Sequence, residues 1–229
     1  MREYAVIGLG QFGATVARTL VELGGVVIGI DADMDIVERY KDDLGQTICL
    51  DATDEAALRA AGVADVDTAV VALGESTEAA ILATANLKNL GVGQIVARAN
   101  SALHERVLKL VGARRTYNPE ERMASHVARA IISPDVHEVI PLSSGHSLVE
   151  VEAPRPWIGK TLSQLSVRGE HKINIVGIKH RRLAVDDRGR SVVAYDLNDL
   201  PAADDRIAEG DVLLVVGSDE RIRALEKLR

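Results

Sequence analysis

The stretch that decides the fold of this chain is Tyr4–Gly13, which reads YAVIGLGQFG. Its first half is a short apolar run, and from Gly10 onward apolar residues recur near helical spacing, so the glycines lie at a strand-to-helix turn. A second apolar run, Val26–Ile30, leads directly into Asp31. This combination of strand, glycine-rich turn, helix and acid predicts the first unit of a doubly wound sheet, with a nucleotide phosphate at the turn.

Each glycine of this turn is expected to serve a different physical purpose. Gly8 allows the tight turn, Gly10 lets the backbone approach a pyrophosphate, and Gly13 lets the new helix pack against the strand. The helix N-terminus offers free N–H groups and the positive end of its dipole to the anion. Asp31 lies where a carboxylate accepts hydrogen bonds from ribose hydroxyls.

The same alternation continues through the first half of the chain. The further predicted strands are Gln46–Leu50, Thr68–Leu73, Gln94–Ala99 and Arg115–Asn118, and the predicted helices between them are Asp33–Leu44, Glu55–Ala61, Thr77–Leu90 and Ala102–Val111. With the two strands above, this completes a Rossmann-type parallel sheet, so residues 1–118 are predicted to form a nucleotide-binding domain.

The second half of the chain has a different sequence pattern. Pro119 opens a helix with an apolar stripe that has no place on a sheet already supplied with helices, and Ser133–Asp135 marks a boundary, so residues 119–135 are predicted to be a crossover helix and linker. Residues 136–229 are predicted to form a small α+β domain. Its predicted strands are Val136–Leu142, Ser147–Ala153, Lys172–His180 and Asp211–Gly217, and its predicted helices are Lys160–Leu165 and Asp219–Leu228.

Composition narrows the functional classes. Hydrophobic residues make up 47% of the 229 residues and aromatic residues only 3%, so small aliphatic side chains fill the core. The formal net charge of −7 argues against a nucleic-acid partner. Cys49 is the only cysteine, which excludes an intramolecular disulfide. No apolar run approaches the roughly 18 residues of a membrane span, so we expect a soluble cytoplasmic protein.

These motifs, taken in order, resemble the RCK proteins of the Ktr/Trk potassium uptake systems, which carry a TrkA-N-like and a TrkA-C-like domain. The segments that carry the resemblance over essentially the whole chain are Val6–Gly13, Ile30-Asp31, Asp51–Thr53, Ala97–Ala99, Asn118–Glu120 and Gly210–Gly217. The resemblance implies a regulatory subunit without enzymatic activity. Such a subunit binds a nucleotide, forms homodimers through the crossover helix, assembles into an octameric ring and gates a potassium-translocating membrane subunit at the inner face of the cell membrane.

The resemblance also implies a set of binding residues. Adenine nucleotide, as ATP, ADP or NAD(H), is expected at Gly8, Gly10, Gln11, Phe12, Gly13, Asp31, Asp33, Asp51, Ala52, Thr53, Arg98 and Glu120. Arg98 is expected near the phosphates, and Glu120 at the dimer seam beside a divalent cation, Mg²⁺ or Ca²⁺.

One position departs from the family pattern. Regulators that prefer ATP usually carry an arginine between Gly10 and Phe12, where this chain has Gln11. A neutral amide does not supply the charge-assisted bond that discriminates a triphosphate from a diphosphate. The sequence therefore leaves open whether ATP/ADP or NAD(H) is the ligand.

A second ligand is expected in the C-terminal domain. Arg168, Asn174, Ile175 and Pro201 fall at positions resembling those that hold cyclic di-AMP in Ktr regulators. Arginine can pair with a phosphate, asparagine with a base edge, and isoleucine can form an apolar wall. The hypothesis is that cyclic di-AMP controls the subunit through this domain.

The main alternative is an NAD-dependent oxidoreductase, which would share the glycine fingerprint and Asp31. Such an enzyme needs a proton donor beside the nicotinamide, and the six histidines are scattered along the chain. A nucleotide-responsive transcription regulator would need a basic recognition helix, which the acidic balance disfavours. Regulation of an efflux rather than an uptake system is left open.

Overall fold

The computed structural model describes residues 2–74, 76–132, 136–143, 145–186 and 189–228. The chain divides into two compact units, Met1–Arg122 and Met123–Arg229. The predicted linker residues 133–135 lie outside the described residues. Among those described, no helix has the length and apolar character that crossing a membrane requires.

The first unit alternates strands and helices as the sequence predicts. Its elements are β1 (Glu3–Ile7), α1 (Gln11–Glu22), β2 (Val26–Asp31), α2 (Met34–Leu44), β3 (Gln46–Cys49), α3 (Glu55–Ala60), β4 (Thr68–Val71), α4 (Thr77–Asn89), β5 (Gln94–Arg98), α5 (Ala102–Val111) and β6 (Arg115–Tyr117). The six strands are parallel in the order β3-β2-β1-β4-β5-β6. The order reverses between β1 and β4, and ligands bind outside the carboxyl ends of strands at such a switch point.

Side-chain caps begin most helices of this unit. Asp33, Asp54, Ser76 and Ser101 each accept a hydrogen bond from a backbone N–H in the first turn of the helix that follows. α1 differs, because the residue in its capping position is Gly10, which has no side chain to accept a hydrogen bond.

The core of the first unit surrounds the central strands. Ala5 and Ile7 of β1 and Ala69 and Val71 of β4 are at most 1% exposed. Strands this deeply buried are those of a parallel sheet covered by helices. The predicted Rossmann-type fold class is confirmed.

The helix that follows, α6 (Pro119–Ile132), carries Glu120 and Glu121 in its first turn, where the helix dipole favours acids. Met123, Val127 and Ile131 lie four residues apart and are 61%, 46% and 74% exposed. The apolar stripe predicted from the sequence is therefore uncovered in the single chain.

The second unit is a small antiparallel α+β fold, as predicted. Its elements are β7 (Val136–Ser143), β8 (His146–Glu152), α7 (Leu162–Leu165), β9 (Asn174–Val185), β10 (Ser191–Asn198), β11 (Val212–Ser218) and α8 (Asp219–Glu226). The five strands take the order β10-β9-β11-β8-β7. Trp157, Ile178, Leu213 and Ile222 contribute to a separate buried core.

The structure contains one strand that the sequence pattern did not predict, β10. It forms a hairpin with β9 in unbroken register from Ser191 opposite Val185 to Asn198 opposite Ile178. β11 pairs with β9 only as far as Lys179. Residues 180–185 and 191–196 therefore form a two-stranded extension, which we call the β9–β10 arm.

Candidate nucleotide-binding site

The carboxyl ends of the parallel strands bring the predicted nucleotide residues to one edge of the first unit. The glycine turn follows β1, Asp31 ends β2, Asp51 follows β3 and Arg98 ends β5. Glu120 lies in the first turn of α6.

The glycine turn is closed by backbone contacts that exclude larger residues. Gly8 has φ +90°, and a Cβ there would lie 3.0 Å from Leu73 Cδ2 and 3.2 Å from the Ala72 carbonyl carbon. A Cβ on Gly13 would collide with the carbonyl oxygen of Gly8. Both glycines are required by geometry, for the tight turn and for the close approach of α1 to β1.

Gly10 differs from its neighbours because it faces open space. A Cβ built on it meets no atom within 4 Å, and its φ of −60° is open to any residue. The first-turn N–H groups of α1 have no side-chain cap. An uncapped helix N-terminus beside an open space is a suitable place for an anionic group.

Asp31 fastens the glycine turn to the next strand. Its Oδ2 accepts a hydrogen bond from the Leu9 N–H at 2.7 Å, and its Oδ1 accepts one from the Asp33 N–H at 3.0 Å. Each carboxylate oxygen retains a further lone pair. The same side chain therefore holds the glycine turn in shape and can still accept a hydrogen bond from a hydroxyl group.

The Asp51–Thr53 turn is held by two sets of hydrogen bonds. Asp51 Oδ1 accepts from the Thr53 N–H at 2.9 Å and from the Thr53 hydroxyl at 2.8 Å. These two bonds lower the pKa of Asp51. Asn86 Nδ2 on α4 donates to the carbonyl oxygens of Thr53 at 2.8 Å and of Ala52 at 3.3 Å. Sequence reasoning missed Asn86, because no local pattern marks a contact across more than thirty positions.

The guanidinium of Arg98 is held near the turn by Phe12 and Glu120. Its guanidinium carbon lies 5.6 Å from the centroid of the Phe12 ring, and its Nη2 donates to Glu120 Oε1. A Cβ on Gly74 would collide with this guanidinium. Among the described residues its buried Nε has no hydrogen-bond partner. A buried donor without an acceptor is unfavourable, so the described residues leave one donor of Arg98 unsatisfied.

An apolar cavity of about 340 Å³ adjoins Arg98. Its lining is Phe12, Val16, Val70, Val96, Ala97, Arg98, Tyr117, Pro119 and Arg122. Aliphatic and aromatic walls with two guanidinium groups suit the apolar face of another peptide segment or an amphipathic anion.

The described part of the chain holds no cluster of three or more histidine, cysteine or acidic side chains able to bind a metal ion. Glu120 is 59% exposed and is paired with Arg98. Within the described residues, the protein alone therefore offers a divalent cation fewer than three such side chains at this position.

The second unit contains the other predicted pocket. Arg168, Ile175 and Pro201 line a cavity of about 320 Å³, together with Ser166 and Gly169. Asn174 is exposed and does not line it, because adjacent strand residues point to opposite faces of β9.

Two family models match this chain. The TrkA-N domain matches residues 4–119 and the TrkA-C domain matches residues 146–229. The Ktr system potassium uptake protein C of Bacillus subtilis is 38% identical over 226 residues, covering 99% of this chain and 96% of that protein. The Ktr system potassium uptake protein A of the same species is 30% identical over 225 residues, covering 98% and 96%.

Solved structures share the fold at lower identity. The GsuK RCK domain superposes with a TM-score of 0.65 at 19% identity, covering 99% of this chain and 47% of that chain. The GsuK channel bound to NAD gives a TM-score of 0.56 at 23% identity, covering 100% and 38%. GsuK bound to ADP gives 0.53 at 16% identity, covering 59% and 36%. This chain thus spans less than half of each GsuK chain.

Proposed function

This chain belongs to the Ktr-type potassium uptake proteins with TrkA-N and TrkA-C domains, and from that premise we propose that it is a nucleotide-binding regulatory subunit of a potassium-translocating membrane protein. The relatives match over nearly their whole length, which supports the same role here. They are potassium uptake proteins, so the comparison favours a non-enzymatic regulator over an NAD-dependent oxidoreductase.

The observation that carries the proposal is the open space at Gly10, next to the uncapped start of α1. In this proposal, phosphate lies against Gly8–Gly13 and Arg98, and the ribose hydroxyls donate to Asp31, with Asp33 beside it. The Asp51–Thr53 turn borders the adenine. Arg98 supports an anion there, since its side chain is 23% exposed and its guanidinium can donate to a phosphate oxygen.

The ligand we propose is an adenine nucleotide, ADP, ATP or NAD(H). The GsuK structures with NAD and with ADP support this class of ligand. Gln11 is exposed and neutral, so it cannot add a charge-assisted bond to a third phosphate. We expect ATP and ADP to bind with similar affinity.

A divalent cation at Glu120 would depend on the nucleotide. Because the described residues offer fewer than three carboxylate or imidazole side chains there, too few for Mg²⁺ or Ca²⁺, phosphate oxygens would have to supply other ligands. The cation would also compete with Arg98 for Glu120. Calorimetric titration of ADP with and without Mg²⁺ tests this, and equal affinities would remove the cation from the proposal.

Regulation would act through assembly. We propose that the exposed α6 stripe pairs two copies and that the dimers build an octameric ring on the cytoplasmic side of the membrane subunit. A nucleotide can shift the ring toward one shape only by as much as it prefers that shape.

The cavity of the second unit is the proposed cyclic di-AMP site. Arg168 can pair with a phosphate and Ile175 and Pro201 can contact a base. Asn174 could contribute only on the other face of β9. A titration with cyclic di-AMP in which Arg168→Ala binds as tightly as the wild type would contradict this assignment.

The decisive test of the nucleotide site is Gly10→Ala. Its Cβ enters open space at a permitted φ, so the fold is retained, yet the methyl group occupies the place proposed for phosphate. Gly93→Ala is the matched control, because the nearest atom to its Cβ is 3.9 Å away. We expect calorimetry with ADP and NAD⁺ to show binding lost in Gly10→Ala and retained in Gly93→Ala. Unchanged binding by Gly10→Ala would overturn the proposed site.

A further inference from the structure

Within the part of the chain that the structure describes, the free edge of β10 lacks the lysine, proline and bulge that usually protect an edge strand. Natural edge strands are short, or carry lysine, proline or a bulge that prevents pairing with another chain. β10 is eight residues long, reads SVVAYDLN and pairs with β9 without a register shift. Its single charge, Asp196, is bonded to Arg182 of the neighbouring strand at 2.7 Å.

The side chains of the arm divide into two faces. In an antiparallel pair, residues opposite each other point to the same face. Leu183, Val185, Val193, Tyr195 and Leu197 share one face and are 75%, 70%, 47%, 44% and 56% exposed. Arg181 and Lys179, opposite Tyr195 and Leu197, lie on this face as well, so it is apolar mainly along β10 and at the end of β9. The other face carries the Arg182–Asp196 ion pair. A two-stranded ribbon with uncovered apolar side chains is marginal in stability and gains from further strands.

The charges of the arm disfavour a polyanion as its partner. The basic residues lie on β9, the protected strand, and several are already neutralised within the chain. Lys179 pairs with Glu150, and His180 Nδ1 lies 3.0 Å from Asp211 Oδ2. β10 itself offers uncharged side chains over most of its length, so the strand that fits it is a neutral one.

The alternation of hydrogen bonds along the β9–β10 hairpin determines which backbone groups of β10 remain free to pair with another strand. At the hairpin turn the Asp186 N–H donates to the Arg190 carbonyl oxygen at 2.9 Å. Because bonded and non-bonded pairs alternate along antiparallel strands, the N–H and C=O groups of Ser191, Val193, Tyr195 and Leu197 face the free edge. These positions are evenly placed about Ala194.

We propose that β10 pairs antiparallel with β10 of a second copy about a two-fold axis through Ala194. Val193 of each copy then lies opposite Tyr195 of the other, and Ser191 opposite Leu197, so every outward backbone group meets an outward group. An aromatic residue opposite a β-branched residue is a favourable cross-strand pair. The two arms become one four-stranded sheet, with Val193, Tyr195 and Leu197 of both copies on the same face. This contact is independent of the nucleotide site.

The test is disulfide trapping in the full-length chain. Cys49→Ser removes the only native cysteine, and Ala194→Cys is added to that background. Ala194 would face its own copy in a non-hydrogen-bonded pair, where Cα atoms lie about 4.5 Å apart, within the reach of a disulfide. We expect a mild oxidant to convert this variant to a covalent dimer on a non-reducing gel. A monomer would overturn the proposal.

Two neighbouring positions serve as controls. In the proposed register, residue 192 of one copy lies opposite residue 196 of the other. Val192→Cys or Asp196→Cys alone should therefore stay monomeric, because the introduced cysteine has no cysteine opposite it. The double variant should cross-link. Cross-linking by either single variant to the same extent as Ala194→Cys would overturn the register.

A charge swap tests the same pairing without cysteine. Val193→Lys and Tyr195→Glu should each weaken association of the arms. The double variant should restore it, since the introduced ammonium group of each copy would lie opposite the introduced carboxylate of the other. Sedimentation velocity measures the assembly. Restoration supports the pairing, and a double variant that associates no better than the single variants contradicts it.

Discussion

The side chain of Asp31 has two roles, a proposed one in binding the ribose and a structural one in holding the glycine turn. Its two oxygens hold the Leu9 and Asp33 amides, so the residue proposed for the ribose also keeps the phosphate turn in shape. Removing the side chain is therefore a structural change as well as a chemical one.

Asp31→Ala and Asp31→Asn separate these two effects. Both variants should lose nucleotide affinity, because neither retains the carboxylate that accepts from the ribose. Asp31→Ala should also lower the free energy of unfolding by about 1–3 kcal/mol, since it leaves backbone donors unpaired, and Asp31→Asn by less. Calorimetry with ADP and urea unfolding measure the two quantities. Wild-type affinity in Asp31→Asn would contradict the ribose assignment.

His104 is a buried titratable side chain that is not among the residues proposed to bind the nucleotide. It is 4% exposed, its Nδ1 lies 2.9 Å from Asn100 Oδ1, and its Nε2 has no partner among the described residues. Burial lowers its pKa below the ordinary 6.5. The folded state therefore holds the neutral imidazole.

The depressed pKa of His104 predicts a stability change with a definite sign. The unfolded chain takes up the proton first, so the stabilisation is complete above pH 6.5 and is lost as the pH falls below that value toward the lower folded pKa. Between pH 7 and 5, the free energy of unfolding should fall less steeply in His104→Leu than in the wild type. His126→Gln, which removes an exposed imidazole, should follow the wild type. Parallel wild-type and His104→Leu curves would refute the effect.

At the scale of elements, α6 carries its own prediction. Val127→Asp places a charge in the middle of the exposed stripe and should lower the mass of the proposed assembly, because a charge is unfavourable in an apolar interface. Ser125→Asp lies on another side of the same helix and should leave that mass unchanged. Light scattering after size exclusion measures the masses. Equal behaviour of the two variants would argue against the stripe as the interface.

The elements also show what the sequence could predict. Helix starts are marked locally by Asp33, Asp54, Ser76 and Ser101, and buried strands by continuous apolar runs, so the first unit follows from its pattern. β10 was not predicted, because both faces of the arm are exposed in the single chain. Its apolar residues Val192, Val193 and Ala194 are also consecutive, so they do not alternate with polar residues. The contacts of Asn86 and the stacking of Arg98 on Phe12 depend on tertiary structure and leave no local signal.

At the scale of the whole molecule, each of the two units buries apolar side chains of its own. The proposed nucleotide site lies wholly in the first unit and the proposed cyclic di-AMP cavity wholly in the second. Each ligand should therefore act first on the stability of its own unit.

Calorimetric unfolding with each ligand tests this separation. ADP at 100 times its dissociation constant should stabilise the first unit by about 2.7 kcal/mol and raise the temperature of its transition. Cyclic di-AMP should raise the other transition. Gly10→Ala should abolish only the ADP effect. A single transition raised equally by both ligands would mean that the units unfold as one body.

The three glycines of the turn differ in what surrounds them, and this difference has a consequence for mutational tolerance. Gly8 and Gly13 meet neighbouring backbone atoms, whereas Gly10 meets none. In a saturation library, substitutions at positions 8 and 13 should reduce both protein abundance and growth at limiting potassium. Small substitutions at position 10 should leave abundance unchanged and impair growth alone. Of the three glycines, Gly10 is therefore the one at which selection on function can be separated from selection on folding.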